Sequence, residues 1–415
     1  MIQSPWRSGV FLFFLSAAIR AALLPLAQLD PAWTIRWETG AVADQLARTG
    51  EYANPYSLPT GPTAHTIPFY TGVMALIFRI FGVTMAAEYA RRSLSIVSFS
   101  VMYALMPWIA ARLGLGKTAG LLGGLLGVLN PLSLLFGISG VLGEEFAAIG
   151  LGLLMVASVV RWKGGGGSRA RSILLGAGWG AVFHASPPLL LVAFGFTVFE
   201  LWYSQHSRRW LLSAAMMAGV GLACTPWVWR NYVVFGEFVF IRSNFGLELR
   251  MGNHQGAAPD MEVMDRLDLR LQAHPRLHCE EAEKVKQWGE IEYMRRARRD
   301  ALEWIRANPG AFLRLTALRV LHIWFGSLHL PFVVAGTSLL TILAFFGARR
   351  VLPDLSAPQR AALLIPLAMF PLIYYAVAYM PRYRLPIDWI LLMLAGVEVS
   401  HWIRRWQPEV RHGGS

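Results

Sequence analysis

The residues able to do chemistry in this chain of 415 residues are carboxylates and arginines set beside long apolar stretches. Glu38 opens a polar run, WETGAVADQLARTGEYANPYSLPTGPTAHTIP (37–68), directly after the first apolar stretch, and the run closes on His65 and Pro68. Glu144 and Glu145 end a tight turn, GISGVLGEE (137–145), while Arg91, Arg92, Arg230, Arg382 and Arg384 stand at the ends of other apolar stretches. An ionisable group close to hydrocarbon is costly unless paired or solvated, which makes each of these a functional candidate. Arginine at a helix end has a blander alternative, since it snorkels to the headgroups at little cost. MPRYRLP (380–386) offers more, because two guanidiniums flank a tyrosine in a turn stiffened by prolines. Such a fork suits a phosphate bidentately. Trp33 and Trp37 place Glu38 at the headgroup belt, where burial would raise its pKa unless a cation or a substrate compensates.

Other motifs fail on spacing. GLGKT (114–118) lacks a phosphate-loop glycine five positions before Gly116, where Ala111 stands. HPRLHC (274–279) sets His274 and His278 four apart beside Cys279, but Pro275 opens a helix there and no second ligand pair follows, so a solvated helix entry is expected. No GxSxG or HExxH pattern is present, and Cys224 and Cys279 make neither a disulfide framework nor a metal pair. The acidic residues do not assemble into a recognisable metal-ligand set, so metal dependence is left open and no cofactor is assigned.

The elements that must position these groups are membrane helices. Hydrophobic residues make up 55% of the chain and mean hydropathy is +0.44, too apolar for an ordinary soluble enzyme. Stretches able to cross about 30 Å of hydrocarbon lie near 9–28, 93–111, 119–137, 146–160, 173–186, 187–203, 211–229, 331–347, 361–379 and 387–403, so an all-α polytopic bundle of about ten crossings is expected. With a cytoplasmic N-terminus, every inward connection is short and basic, including RWKGGGGSRAR (161–171) and Arg349/Arg350. The net charge of +13 is then mostly topology, and nucleic acid is not an expected partner. Two shorter apolar helices with interior arginines, 67–82 and 311–326, are expected to lie at the outer interface. The outer face then carries the loop 29–92, the turn at 137–145 and a segment near 231–310. That segment holds 13 of the 25 acidic residues and 12 basic ones, with a helix expected from Glu280 to Ala307 ending at NPG.

These residues bring a family pattern into view. The chain resembles the GT-C superfamily of polyprenyl-phosphate-sugar glycosyltransferases, in its family-39-like branch of protein O-mannosyltransferases and lipid A aminoarabinose transferases. WETGAVADQLARTGEYANPY, GPTAHTIPFYTGVMALIFRIFG, TPWVWRNYVVFGEFVFIRSNFGLELRMGN and RYRLPID carry the likeness. It implies a GT-C-type bundle with juxtamembrane helices in the first external loop. Glu38 falls at the acidic position that the family uses as catalytic base or acceptor-positioning group. Glu144 or Glu145 matches a second acidic position, His65 the His/Pro-led helix entry, and Arg92, Arg382 and Arg384 would face the lipid phosphate. Relatives commonly set two acids side by side where Trp37 precedes Glu38 here.

The resemblance therefore implies an inverting transfer of sugar from a polyprenyl-phosphate donor to a glycan, lipid or protein acceptor. The setting would be the periplasmic face of a bacterial inner membrane, with both termini cytoplasmic. Three regions are expected: 1–230 as the N-terminal membrane module, 231–310 as an external subdomain, and 311–415 as the C-terminal helices. The rival readings are a transporter or flippase of lipid-linked sugars, and an O-antigen-type ligase or polymerase.

Overall fold

The computed structural model describes residues 4–27, 29–140, 143–165, 167–268, 273–327 and 331–406. It is 78% helical, and its only extended pairings are two isolated bridges among the described residues. Among the described residues, seven helical segments are long and apolar enough to cross a membrane: Pro5–Leu26, Met85–Arg112, Glu144–Lys163, Arg209–Phe235, Pro331–Asp354, Ala357–Tyr375 and Pro381–Trp406. The chain is a multi-pass membrane protein.

Three of the ten expected crossings are built otherwise. The stretch 119–137 is two helices, Lys117–Val128 and Pro131–Ser139, bent by 68°. Pro131 takes the first helical position, where its missing N–H costs nothing, and the Asn130 side chain accepts from the N–H groups of Leu132 and Ser133 at 3.0 and 3.2 Å. The stretches 173–186 and 187–203 become helices of 15 residues each, Arg169–Phe183 and Leu189–Tyr203, separated at Pro187-Pro188. At 1.5 Å per residue such a helix spans only about 22 Å, less than the hydrocarbon core.

Small residues let these helices meet backbone to backbone. A Cβ on Gly176 would lie 1.8 Å from the carbonyl oxygen of Met216, and one on Gly219 would lie 2.0 Å from that of Ile173. In lipid, where apolar side chains gain nothing by leaving their solvent, such close approach is what holds helix pairs together. The central helix Leu385–Trp406 is buried over its first half, with Trp389, Ile390, Met393 and Ala395 enclosed, while Trp402, Ile403 and Trp406 in its last turns are exposed. Arg20, the charge inside the first helix, is also fully buried. Its guanidinium donates to the hydroxyls of Ser16 and Ser133 at 2.8 and 2.7 Å and lies 5.3 Å from the rings of Phe99 and Tyr103.

Above the bundle lie two interlocked layers. The helices Glu38–Thr49 and Pro68–Phe81 share a core of Ala43, Ala47, Tyr70, Met74 and Phe78, so the apolar 67–82 stretch is a juxtamembrane helix packed on the first loop. The second layer comes from 231–310 and buries Leu247, Met251, Met264, Val285, Tyr293 and Met294 together with Tyr56 of the first loop. The expected helix 280–307 is two helices, Cys279–Trp288 and Glu290–Ala307, because Gly289 between them sits at φ +80°, a conformation that favours glycine. Residues 141–142 and 269–272, parts of two expected outer elements, lie outside the described residues.

Candidate active site

Glu38 is the first residue of its helix, and its carboxylate reaches His274, brought from the far end of the external segment. Glu38 Oε1 lies 3.4 Å from His274 Nε2, with side-chain exposures of 20% and 12%. The neighbouring turn sets the direction of this contact. The backbone N–H of Arg276 donates to His274 Nδ1 at 3.1 Å, so that nitrogen carries the lone pair and Nε2 carries the proton offered to Glu38. His274 is therefore a built part of the site, where the sequence led us to expect a solvated helix entry. The signal lay in HPRLHC, but a local reading of Pro275 pointed to the helix that follows it.

The rest of the external segment fixes this pair in place. Arg276 donates to the carbonyls of Tyr56 and Ile35 at 2.7 and 2.6 Å, and Ser57 reaches the carbonyl of Pro275 through its N–H at 3.2 Å and its hydroxyl at 3.0 Å. Burial alone would raise the Glu38 carboxyl. The imidazoles of His274 and His65, its own helix-start N–H and Arg276 outweigh that, and Glu38 stays below its ordinary range, an anion at neutral pH.

His65 lies beside the pair. Its ring centroid is 6.2 Å from that of His274, and its Nδ1 shares a hydrogen bond of 3.0 Å with the hydroxyl of Tyr56. Burial, helped by Arg242 and only partly offset by Glu38, pushes His65 down to about 3, so the imidazole is neutral at physiological pH. The loop that carries it is clamped by buried Glu290, which accepts from the Thr63 hydroxyl, from the Ala64 N–H at 2.8 Å and from the Ser243 hydroxyl at 2.6 Å. Arg230 holds the same loop from the membrane side through the carbonyls of Thr63 and Tyr52 at 2.7 and 2.9 Å.

One ligand atom from each of Glu38, His65 and His274 lies within 4.8 Å of the others, a spacing that a divalent cation could bridge. The orientation of His274 does not fit that use. A metal on Nε2 needs the lone pair there, and the Arg276 N–H places the lone pair on Nδ1 instead. The arrangement is a carboxylate–imidazole pair with a neutral imidazole beside it.

The arginine fork divides. Arg384 is buried at 5% exposure, and its donors go to Asp388, to the carbonyls of Ile323 and Trp324 at 3.0 and 3.1 Å and to the Thr341 hydroxyl at 3.2 Å. Arg382 turns the other way. Its Nε lies 3.7 Å from Glu144 Oε1, with 33% of its side chain exposed, beside the stacked rings of Tyr374 and Tyr383. Glu144 and Arg382 are thus joined, whereas Glu145 is buried and accepts from the Gly143 N–H at 2.9 Å. Arg92 and Arg91 converge on Glu88, and their remaining donors reach the carbonyls of Ile138, Ser139 and Gly140 that close the bent helix. Arg92 and Arg384, expected to face the lipid phosphate, thus spend these donors on the protein itself.

No family model and no curated protein sequence matches the chain. Solved structures do. The oligosaccharyltransferase AglB from Archaeoglobus fulgidus, in complex with an inhibitory peptide and a dolichol-phosphate, matches over 96% of this chain with a TM-score of 0.55 at 15% identity. The apo form of the A. fulgidus oligosaccharyltransferase gives 0.54 at the same identity and coverage. The chain has the GT-C fold. It covers about half of those proteins, 50% and 51% of their length. ArnT from Cupriavidus metallidurans, bound to undecaprenyl phosphate, matches with a TM-score of 0.36 at 13% identity, over 92% of this chain and 77% of that one.

Proposed function

We propose that this GT-C chain is an inverting glycosyltransferase that moves a sugar from a polyprenyl-phosphate donor of the undecaprenyl type to a hydroxyl of a glycan, lipid or protein acceptor. We place the reaction at the periplasmic face of a bacterial inner membrane, with both termini cytoplasmic. The observation that carries the reading is the Glu38–His274 pair. An imidazole nitrogen faces the Glu38 carboxylate at 3.4 Å, and the anionic carboxylate would meet an incoming hydroxyl.

The chemistry follows from that geometry. As the acceptor oxygen forms its bond to C1, Glu38 takes the hydroxyl proton, the C1–O bond to the lipid phosphate breaks, and the phosphate leaves with the bonding pair. Positioned general-base help of this kind contributes about 10²–10⁴-fold. His274 keeps the carboxylate oriented and anionic. Arg382, loosely paired with Glu144, would stabilise negative charge on the leaving group. We assign Arg92 and Arg384 to the scaffold that keeps the outer turns in place, and Glu145 to the start of its own helix.

The test is transfer of labelled sugar from a polyprenyl-phosphate-sugar to an envelope extract by purified protein. Wild type should transfer and Glu38→Gln should not. A Glu38→Gln variant that works at the wild-type rate would show that the base is misassigned. Movement of the intact donor across vesicles without any transfer product would replace the reading with a transporter, and a strict demand for a diphosphate-linked donor would replace it with a ligase.

A further inference from the structure

A basic surface outside the proposed site runs along the helix Glu290–Ala307 and into the helix Pro309–Phe325. From Arg295 to Arg314 the chain carries six arginines, Arg295, Arg296, Arg298, Arg299, Arg306 and Arg314, against two carboxylates, Asp300 and Glu303. The first helix turns Tyr293, Met294, Ala297 and Ala301 into the external layer, so at about 100° per residue Arg295, Arg299, Leu302 and Arg306 fall on the opposite face. Arg295 and Arg296 are paired with Glu237 and Glu292. The others are not. Arg298, Arg299, Arg306 and Arg314 are exposed, and none of them meets a carboxylate, a carbonyl or an aromatic ring among the described residues. Glu303 is exposed on the same side and closes no ion pair with them.

Contacts near the two ends of this helix set it at the edge of the bilayer. Arg295 pairs with Glu237, which lies just beyond the membrane span Arg209–Phe235. Trp229 and Tyr232 in the last turns of that span are exposed, as is Phe238 after it, and exposed aromatic rings at the end of a span belong to the headgroup belt. At the other end only Asn308 separates the helix from Pro309–Phe325, whose Trp324 carbonyl accepts from the Thr341 hydroxyl of the span Pro331–Asp354. That second helix exposes Leu313, Leu321 and Phe325 on the side that carries Arg314. An apolar face edged by arginine is how a helix lies in the interface between lipid and water.

Arginines three and four apart on a helix, as Arg298 and Arg299 are from Arg295, repel one another. The stripe is unfavourable by itself and becomes favourable where anions gather on it. Guanidinium forks match the oxygens of a phosphate, and an anionic membrane surface attracts each arginine held near it. We propose that Arg298, Arg299, Arg306 and Arg314 dock the external layer onto the headgroups of anionic phospholipids in the adjoining leaflet. The docking is independent of the transfer reading. It holds against the membrane the same segment that brings His274 to Glu38.

Hydrogen exchange read by mass spectrometry tests this on the full chain, in nanodiscs of phosphatidylcholine with or without phosphatidylglycerol. The amides of residues 298–314 should exchange about tenfold more slowly when phosphatidylglycerol is present, the effect of one or two arginine contacts with an anionic surface. Salt at about 1 M, where the Debye length is about 3 Å, should remove the difference. Arg299→Gln/Arg306→Gln should lose most of the slowing, and Arg299→Lys/Arg306→Lys should keep it. The helix Cys279–Trp288 should exchange alike in wild type and both variants, which reports that the external layer is folded.

Equal exchange of 298–314 with and without phosphatidylglycerol in wild type overturns the proposal, and so does a slowing that persists undiminished in the glutamine variant. A soluble polyanion is the competing occupant. If inorganic polyphosphate slows the same amides in phosphatidylcholine nanodiscs while phosphatidylglycerol does not, the surface serves an aqueous partner and the lipid assignment is wrong. Should the glutamine variant loosen Cys279–Trp288, the lipid and salt dependence of wild type decides by itself.

Discussion

Glu38 and His274 meet at 3.4 Å although they lie far apart in the sequence, and the backbone N–H of Arg276 fixes which imidazole nitrogen faces the carboxylate. Two residues joined by one proton-bearing contact should behave as a unit. Glu38→Gln is expected to lower kcat by about 10²–10⁴-fold, and His274→Ala by about 10- to 100-fold through loss of orientation. The double variant should be no slower than Glu38→Gln alone. Initial-rate kinetics on the four proteins closes this cycle, and simple multiplication of the two losses would show that the residues act apart.

Arg382 and Glu144 face each other at 3.7 Å while both remain partly exposed, so their mutual attraction is modest. Arg382→Ala should act mainly on donor binding and raise KM for the lipid-phosphate sugar by about tenfold. Glu144→Gln, which frees the guanidinium, should stay within about threefold of wild type. Substrate-saturation curves separate the two effects, and a larger loss in Glu144→Gln than in Arg382→Ala would reverse their roles.

Arg384 belongs to stability. Its buried guanidinium closes the carbonyls of Ile323 and Trp324 at the end of the helix Pro309–Phe325 and pairs with Asp388 at the start of the central helix. Arg384→Ala should cost about 2–4 kcal/mol, because Asp388 loses its counter-charge and the carbonyls lose their donor. Thermal unfolding in detergent should show a clearly lower Tm, with farnesyl phosphate affinity of the folded fraction unchanged.

The external layer should weaken in acid. Glu281 is 7% exposed, and burial would raise its carboxyl; the donors Lys284, Tyr293 and Arg250 outweigh burial and hold it at about 2. A carboxyl depressed in the folded state stabilises that state above its ordinary value near 4.5 and loses the contribution as the pH falls toward 2. The loss amounts to about 2–3 kcal/mol. Hydrogen exchange of the helices Cys279–Trp288 and Glu290–Ala307 at pH 6 and pH 3 should show it, and Glu281→Gln should flatten the difference.

The sequence by itself determined that the chain is a membrane bundle and where its chemistry is concentrated. Hydropathy is a property of consecutive residues, so Met85–Arg112, Glu144–Lys163 and Arg209–Phe235 are legible from composition alone, as is the outer loop that opens with Glu38. Local geometry was less legible. The break at Gly289 depends on one residue's φ, and the bend before Pro131 on the way Asn130 caps the next helix. The partners of each charge belonged wholly to the tertiary structure. Nothing near Arg384 in the chain reveals the carbonyls of Ile323 and Trp324. His274 stood in view in HPRLHC and acquired its meaning only when the fold laid the external segment over the first loop. Burial and pairing depend on residues far away in sequence, and they decide which charges support the fold and which remain open to a ligand.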